Sequence, residues 1–177
     1  MLLALTQGDP AGIGPEILLA LLQSPPDEAA WRPLLVAERA ALEALRPALP
    51  RAPWDRLVYV SGVPRREEIE RLDGIPVLDP VAEPRAVAFG ASGPADAAGA
   101  LAALDLGARL AREGIADALV TAPVSKESIA RHVLPGFTGH TEHLAAACGL
   151  ERYGRDYLMA FLAPDLQVAL LTVHLPL

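Results

Sequence analysis

Asparagine is absent from the 177 residues, lysine occurs once and cysteine once. The lone Cys148 excludes an intramolecular disulfide and any cysteine-cluster metal site, and it reads as a small buried residue on a helix. No apolar run approaches the ~18 residues of a membrane-spanning helix. The apolar start Met1 to Leu5 is cut off by Gln7, Gly8, Asp9 and Pro10, too early for the hydrophobic region of a signal peptide. Basic residues are outnumbered 15 to 22, for a net charge of −7, and the arginines never gather into a run with aromatics between them. Nucleic acid is therefore not an expected partner, whereas a phosphorylated metabolite stays open, because a few local donors outweigh net charge. These absences lead to the expectation of a soluble cytoplasmic protein. The missing asparagine fits a heat-adapted source or GC-rich codon usage. It also throws Lys126 into relief: 14 of the 15 basic residues are arginine, and an ammonium is not interchangeable with a guanidinium at a site.

What is present is a chain that is 52% hydrophobic and 21% charged, enough to bury a core. Leu2 to Thr6 reads as a buried strand, followed by the loop Gly8 to Gly14 and a helix that opens at Pro15 and runs to Leu22. The glycines at 8, 12 and 14 match neither dinucleotide-binding nor P-loop spacing, so the loop is either a structural tight turn or an anion cradle at a helix start. Further strands are expected at Pro33–Val36, Leu57–Val60 and Ile75–Leu78, with helices over Glu38–Leu49 and Arg65–Leu72. The segment from Asp79 to Gly93 is irregular. Pro94 to Arg112 is the longest helical pattern, capped by Gly114. Ala118-Leu119-Val120 reads as a fully buried strand, and Tyr157–Leu162 and Leu166–Val173 as two strands around a Pro164-Asp165 turn. Strands alternating with helices make this an α/β chain with a largely parallel sheet flanked by helices. An apolar strand directly before Leu175-Pro176-Leu177, with no helix after it, leads to the expectation of a truncated product or the first portion of a longer protein.

Ligands of parallel sheets bind outside the carboxyl ends of the strands. Thr121 to Lys126 falls at such an end. Ser125 is placed to cap the next helix, and Lys126 to orient an anionic substrate or tune a proton transfer. Gly139 can start a helix with Glu142 in its first turn, which sets His140 and Thr141 at an N-terminus that favours anions. His140 and His143 are three apart, but the H-E-x-x-H zinc pattern is not met, and His143 reads as packed along the helix. His132 reads as a surface residue. His174, at the end of an apolar strand, is either structural or a ligand for a divalent metal.

GDPAGIGPE (Gly8 to Glu16), TAPVSKE (Thr121 to Glu127), FTGHTEHLA (Phe137 to Ala145) and TVHLPL (Thr172 to Leu177) occur in order along the chain. With these four motifs the chain resembles the amino-terminal part of the 4-hydroxythreonine-4-phosphate dehydrogenase family of vitamin B6 biosynthesis. The resemblance implies an apparently truncated α/β enzyme akin to isocitrate and isopropylmalate dehydrogenases, with residues 1–177 as the amino-terminal portion of a two-domain protein. It implies a homodimer with a shared active site, NAD as hydride acceptor and a divalent metal (Zn, Mg or Co). The implied reaction oxidises a phosphorylated hydroxy-amino acid and then decarboxylates it to 3-amino-2-oxopropyl phosphate, toward pyridoxal phosphate. His140 and Thr141 resemble the family's substrate-binding pair, and His174 the first of three histidine metal ligands. The other two metal ligands and most cofactor contacts lie beyond residue 177 in family members, so this chain alone is expected to be inactive. Three other readings are a related dehydrogenase of a phosphorylated sugar acid such as 4-phospho-threonate, a phosphate acyltransferase on a similar fold, and a non-catalytic folding unit or partner-binding paralogue.

Overall fold

Strand β1 (Leu2–Thr6) is the hub of the first of two compact units, residues 1–137. The computed structural model describes residues 1–23, 31–81, 83 and 85–173. On one side β1 pairs in parallel with β2 (Arg32–Val36), and on the other with β5 (Ala118–Thr121). With β3 (Leu57–Val60) and β4 (Ile75–Leu78) the order is β3-β4-β2-β1-β5, and every pairing is parallel. This is the expected largely parallel sheet. Its strand ends agree with the sequence reading within one residue, because short apolar runs bounded by Gly, Pro and Asp leave little freedom in register.

Alternation along the strands feeds two separate cores. Leu5, Leu35 and Val77 pack under α1 (Gly14–Gln23) and α2 (Arg39–Ala44), meeting Leu18, Leu19, Leu22 and Leu42. Leu2, Ala4, Leu34, Val36 and Leu78 face the other way, onto Ile69 of α3 (Arg66–Arg71) and onto α4 (Pro94–Arg112) at Ala103 and Leu110. Close helix–sheet contact at α4 depends on Gly107, where a Cβ would come within 2.6 Å of the Thr6 Cγ2 and 2.7 Å of the Leu119 Cδ1.

Three expectations are corrected here, and a fourth in the hairpin described below. Helix α2 ends at Ala44 and continues only as turns, rather than reaching Leu49; Pro47 has no N–H to donate to the Glu43 carbonyl, so the ladder cannot propagate. Cys148 is exposed at the C-cap of its helix, where the last turn faces outward. β5 is not fully buried: Ala118 and Val120 are exposed, because β5 forms the sheet edge and pairs only with β1 among the described residues.

The second unit, residues 138–177, holds α6 (His140–Ala147) and an antiparallel hairpin of β6 (Ala160–Ala163) and β7 (Leu166–Ala169) around the expected Pro164-Asp165 turn. Both strands are shorter than the apolar pattern suggested. Tyr153 ties the loop to the hairpin: its hydroxyl accepts from the Met159 N–H at 3.2 Å and donates to the Leu170 carbonyl at 2.9 Å. No helix among the described residues is long and apolar enough to cross a membrane.

At the N-terminal end of the sheet, Asp117 joins β1 to β5. Its carboxylate accepts the Leu2 N–H at 2.7 Å and a two-pronged pair from Arg66 at 2.7 and 3.1 Å. The Arg66 hydrogen bonds, followed by the Leu2 N–H, hold the Asp117 pKa down at about 2, from an ordinary 3.8. A carboxylate whose folded pKa is depressed stabilises the fold above its unfolded pKa and loses that contribution as pH falls through the folded value. Thermal melts should therefore show an Asp117-dependent loss of stability between about pH 4 and pH 2. Asp117→Asn should be less stable than wild type at neutral pH and flatter across that window. Parallel curves for the two proteins would contradict this assignment.

Candidate functional site

Two loops at the carboxyl ends of β1 and β5 are pressed together, backbone on backbone. The Asp9 N–H donates to the Pro123 carbonyl at 2.9 Å. A Cβ on Gly8 would sit 2.1 Å from the same carbonyl oxygen, and the residue has φ of 68°, so two constraints demand glycine there. A Cβ on Gly14 would come within 1.8 Å of the Gln7 carbonyl oxygen. The Asp9 carboxylate completes the turn by accepting the Ala11 N–H at 2.9 Å. Of the two readings of this loop, the structure supports the tight turn: Gly8 and Gly14 make room for backbone.

The β5 loop then feeds helix α5 (Lys126–His132). Ser125 caps it as expected, its Oγ accepting from the Ser128 N–H at 3.2 Å. Lys126 is the first helical residue and is exposed at the carboxyl end of the sheet. His132 is exposed at the far end of α5, as a surface residue should be.

In the second unit, Gly139 precedes α6 with φ of 144°, a conformation open to glycine. His140 and Thr141 form the first turn with Glu142, and all three are half-buried. A helix start is the positive end of its dipole, and here that end lies beside an imidazole and a hydroxyl. That arrangement can hold an anionic or hydroxylated ligand. His143 lies on the next part of α6 and is half-buried.

The predicted residues thus divide between the units, with Lys126 in the first and His140 and Thr141 in the second. His174 lies outside the described residues. Among the described residues no group of three His, Cys, Asp or Glu side chains is placed to hold a metal ion. The described residues thus assemble no ligand set for the implied metal.

Sequence reasoning missed a buried ionic network at the carboxyl ends of β1 and β2. Glu38, 1% exposed, stands just after β2. Gln7 meets it twice: the Gln7 Nε2 donates to Glu38 Oε1 at 3.1 Å, and the Glu38 N–H donates to Gln7 Oε1 at 2.7 Å. Arg85 donates to both Glu38 oxygens at 2.6 and 3.0 Å and to Asp96 at 2.7 Å. Asp96 in turn accepts the Gly93 N–H at 2.9 Å, closing the start of α4. Glu38 first, and Asp96 less strongly, push the Arg85 pKa above its ordinary value. One sequence signal was available: Gly99, inside α4, where a Cβ would fall 1.9 Å from Glu38 Oε1. A crevice of about 330 Å³ adjoins the network, lined by Glu38, Arg39, Glu43, Asp79, Glu83 and Arg85, and none of the predicted site residues borders it.

Residues 29–177 match the family described as "Pyridoxal phosphate biosynthetic protein PdxA". A 4-hydroxythreonine-4-phosphate dehydrogenase of Acidithiobacillus ferrooxidans is 42% identical over 186 residues, covering 99% of this chain and 49% of the relative. The crystal structure of a 4-hydroxythreonine-4-phosphate dehydrogenase from Klebsiella pneumoniae superposes with a TM-score of 0.81 at 28% identity, covering 99% of this chain and 52% of that one. A terephthalate 1,2-cis-dihydrodiol dehydrogenase from Burkholderia xenovorans superposes with a TM-score of 0.55 at 26% identity, over 81% of this chain and 40% of that one. The chain spans about half the length of the curated relatives it matches.

The network generates a stability prediction. Arg85→Ala leaves Glu38 buried with only the Gln7 amide, and breaking a buried pair on one side costs about 3–5 kcal/mol. Urea unfolding should show a loss of that size for Arg85→Ala; a loss under about 1 kcal/mol, the scale of an exposed ion pair, would contradict the assignment.

Proposed function

The chain belongs to the PdxA family, and on that premise we propose that it is the amino-terminal portion of a two-domain, NAD-dependent 4-hydroxythreonine-4-phosphate dehydrogenase of pyridoxal phosphate biosynthesis. The observation that carries the reading is agreement in fold and sequence, over 99% of this chain and about half of each relative, with proteins of that name. In this reading the first turn of α6 binds the phosphorylated hydroxy-amino acid. The His140 imidazole and Thr141 hydroxyl supply directional hydrogen bonds, and the positive end of the helix dipole favours its negative charge. Lys126 is proposed as a supporting cation, exposed at the start of α5 just after the loop that abuts Gly8.

NAD and a divalent metal are proposed for the whole protein, with His174 as one metal ligand and the remaining ligands supplied by residues outside this chain. The described residues bring no three metal ligands together, and no chemical step is assigned through either group. The part of this chain is to bind and orient. A homodimer sharing its active site and a cytoplasmic setting belong to the same proposal.

The binding role is testable directly. An NMR titration of the 177-residue chain with 4-hydroxythreonine 4-phosphate should shift the α6 amide signals first. His140→Ala and Thr141→Ala should each weaken binding by tenfold or more, since a hydrogen bond to a charged group contributes about 1.5–3 kcal/mol. Equal affinity in wild type and both variants, or no binding, would overturn the substrate assignment.

A further inference from the structure

The crevice beside the buried Glu38 network lies where the chain changes faces of the sheet. β2 and β4 are parallel neighbours, yet β2 leads to α2 on one face and β4 leads to α4 on the other. Ligands of open parallel sheets bind outside the carboxyl ends of the strands, at such a switch point. Glu38 and Arg39 follow β2 into the crevice, and Asp79 follows β4. At about 330 Å³ it falls in the range of small-molecule sites, ~300–1,000 Å³. Ala40 and Val81 supply an apolar wall.

Four carboxylates and two guanidiniums line this space, and most of them are already engaged. Arg85 and Gln7 take the Glu38 oxygens. Arg46 donates to both oxygens of Glu43, at 2.7 and 2.9 Å. Asp79 accepts the Arg39 and Val81 N–H groups, each at 2.9 Å, which ties the start of α2 to the end of β4. Two charges remain, one of each sign. Among the described residues the Arg39 guanidinium forms no hydrogen bond or ion pair. It stands over the Tyr59 ring, 4.6 Å from its centre, and that cation–π contact leaves its N–H donors available. The Glu83 carboxylate is exposed and likewise has no partner among the described residues. The surplus of carboxylates opposes a doubly charged anion such as phosphate. A ligand that carries one carboxylate and one ammonium meets both open charges.

We propose that this crevice binds a free aliphatic α-amino acid as its zwitterion. The α-carboxylate takes the planar fork of Arg39, the ammonium pairs with Glu83, and the side chain covers Ala40 and Val81. Asp79 fixes the backbone from which Arg39 projects, and the Glu38–Arg85 pair closes one side of the space. Neither Lys126 nor the His140–Thr141 pair borders this site, so the inference does not rest on the substrate reading given above.

The test is an NMR titration of the isotope-labelled 177-residue chain with L-leucine. Saturable shifts are expected at the amides of Arg39, Ala40, Val81 and Glu83, with those of α6 unmoved. N-acetyl-L-leucine lacks the ammonium and L-leucinamide lacks the carboxylate, and each should bind roughly tenfold or more weakly than L-leucine. Arg39→Gln and Glu83→Gln should weaken L-leucine binding by a similar factor. Both side chains are exposed, so circular dichroism should show the variants folded, and the two analogues probe the same contacts on the wild-type chain. Glu67→Gln, exposed on α3, should bind like wild type. Absence of a saturable shift, equal affinity for L-leucine and either analogue, or wild-type affinity in either folded variant would overturn the proposal. So would tighter binding of inorganic phosphate at the same amides, since the site would then be an anion site.

Discussion

A single buried carboxylate holds the first unit's functional edge in place. Glu38 is almost completely out of water, and such a charge is tolerated only where hydrogen bonds and a counter-charge replace its hydration. Gln7 supplies the neutral bonds from the end of β1, and Arg85 the charge from the irregular segment after β4. Four stretches distant in sequence are thereby tied at one point: the start of the Gly8–Gly14 loop, the start of α2, the Arg85 segment and the start of α4. The same irregular segment reaches the loop again through the Gly90 N–H, which donates to the Ala11 carbonyl at 2.8 Å. The loop in turn abuts Pro123 and so sets where β5 delivers Ser125 and Lys126.

Much of this was legible in the sequence, and the reasons are local. Leu57–Val60, Ile75–Leu78 and Pro94–Arg112 were readable to the residue, because turn formers and a Pro–Gly bracket end each pattern abruptly. The Ser125 cap and the Gly139 helix start are likewise short-range chemistry. Glu38 was not legible: its partners lie 31, 47 and, through Arg85, 58 positions away, and no periodicity encodes such a meeting. The overlong α2 came from weighing Ala and Leu propensity above one missing N–H at Pro47. The error on β5 was of another kind. Ala118-Leu119-Val120 is apolar, but among the described residues β5 pairs only with β1, and Ala118 and Val120 are exposed.

The site has the same incomplete character. Lys126 and the His140–Thr141 pair belong to different compact units, the described residues group no metal ligands, and the chain spans about half the length of its relatives. A helix start bearing an imidazole and a hydroxyl is good binding chemistry, but hydride transfer and decarboxylation need an electron acceptor and charge stabilisation held by further residues. The proposed function is thus a division of labour, with these 177 residues proposed to position substrate and further residues proposed to supply redox and metal chemistry.

That division is tested most directly by NADH formation from 4-hydroxythreonine 4-phosphate, NAD and a divalent metal, assayed with the purified 177-residue chain and again after its co-expression with the unmatched half of a relative. The account predicts no turnover above background for the chain alone and turnover when both halves are present. Turnover by the chain alone at the rate of the combined halves would contradict it.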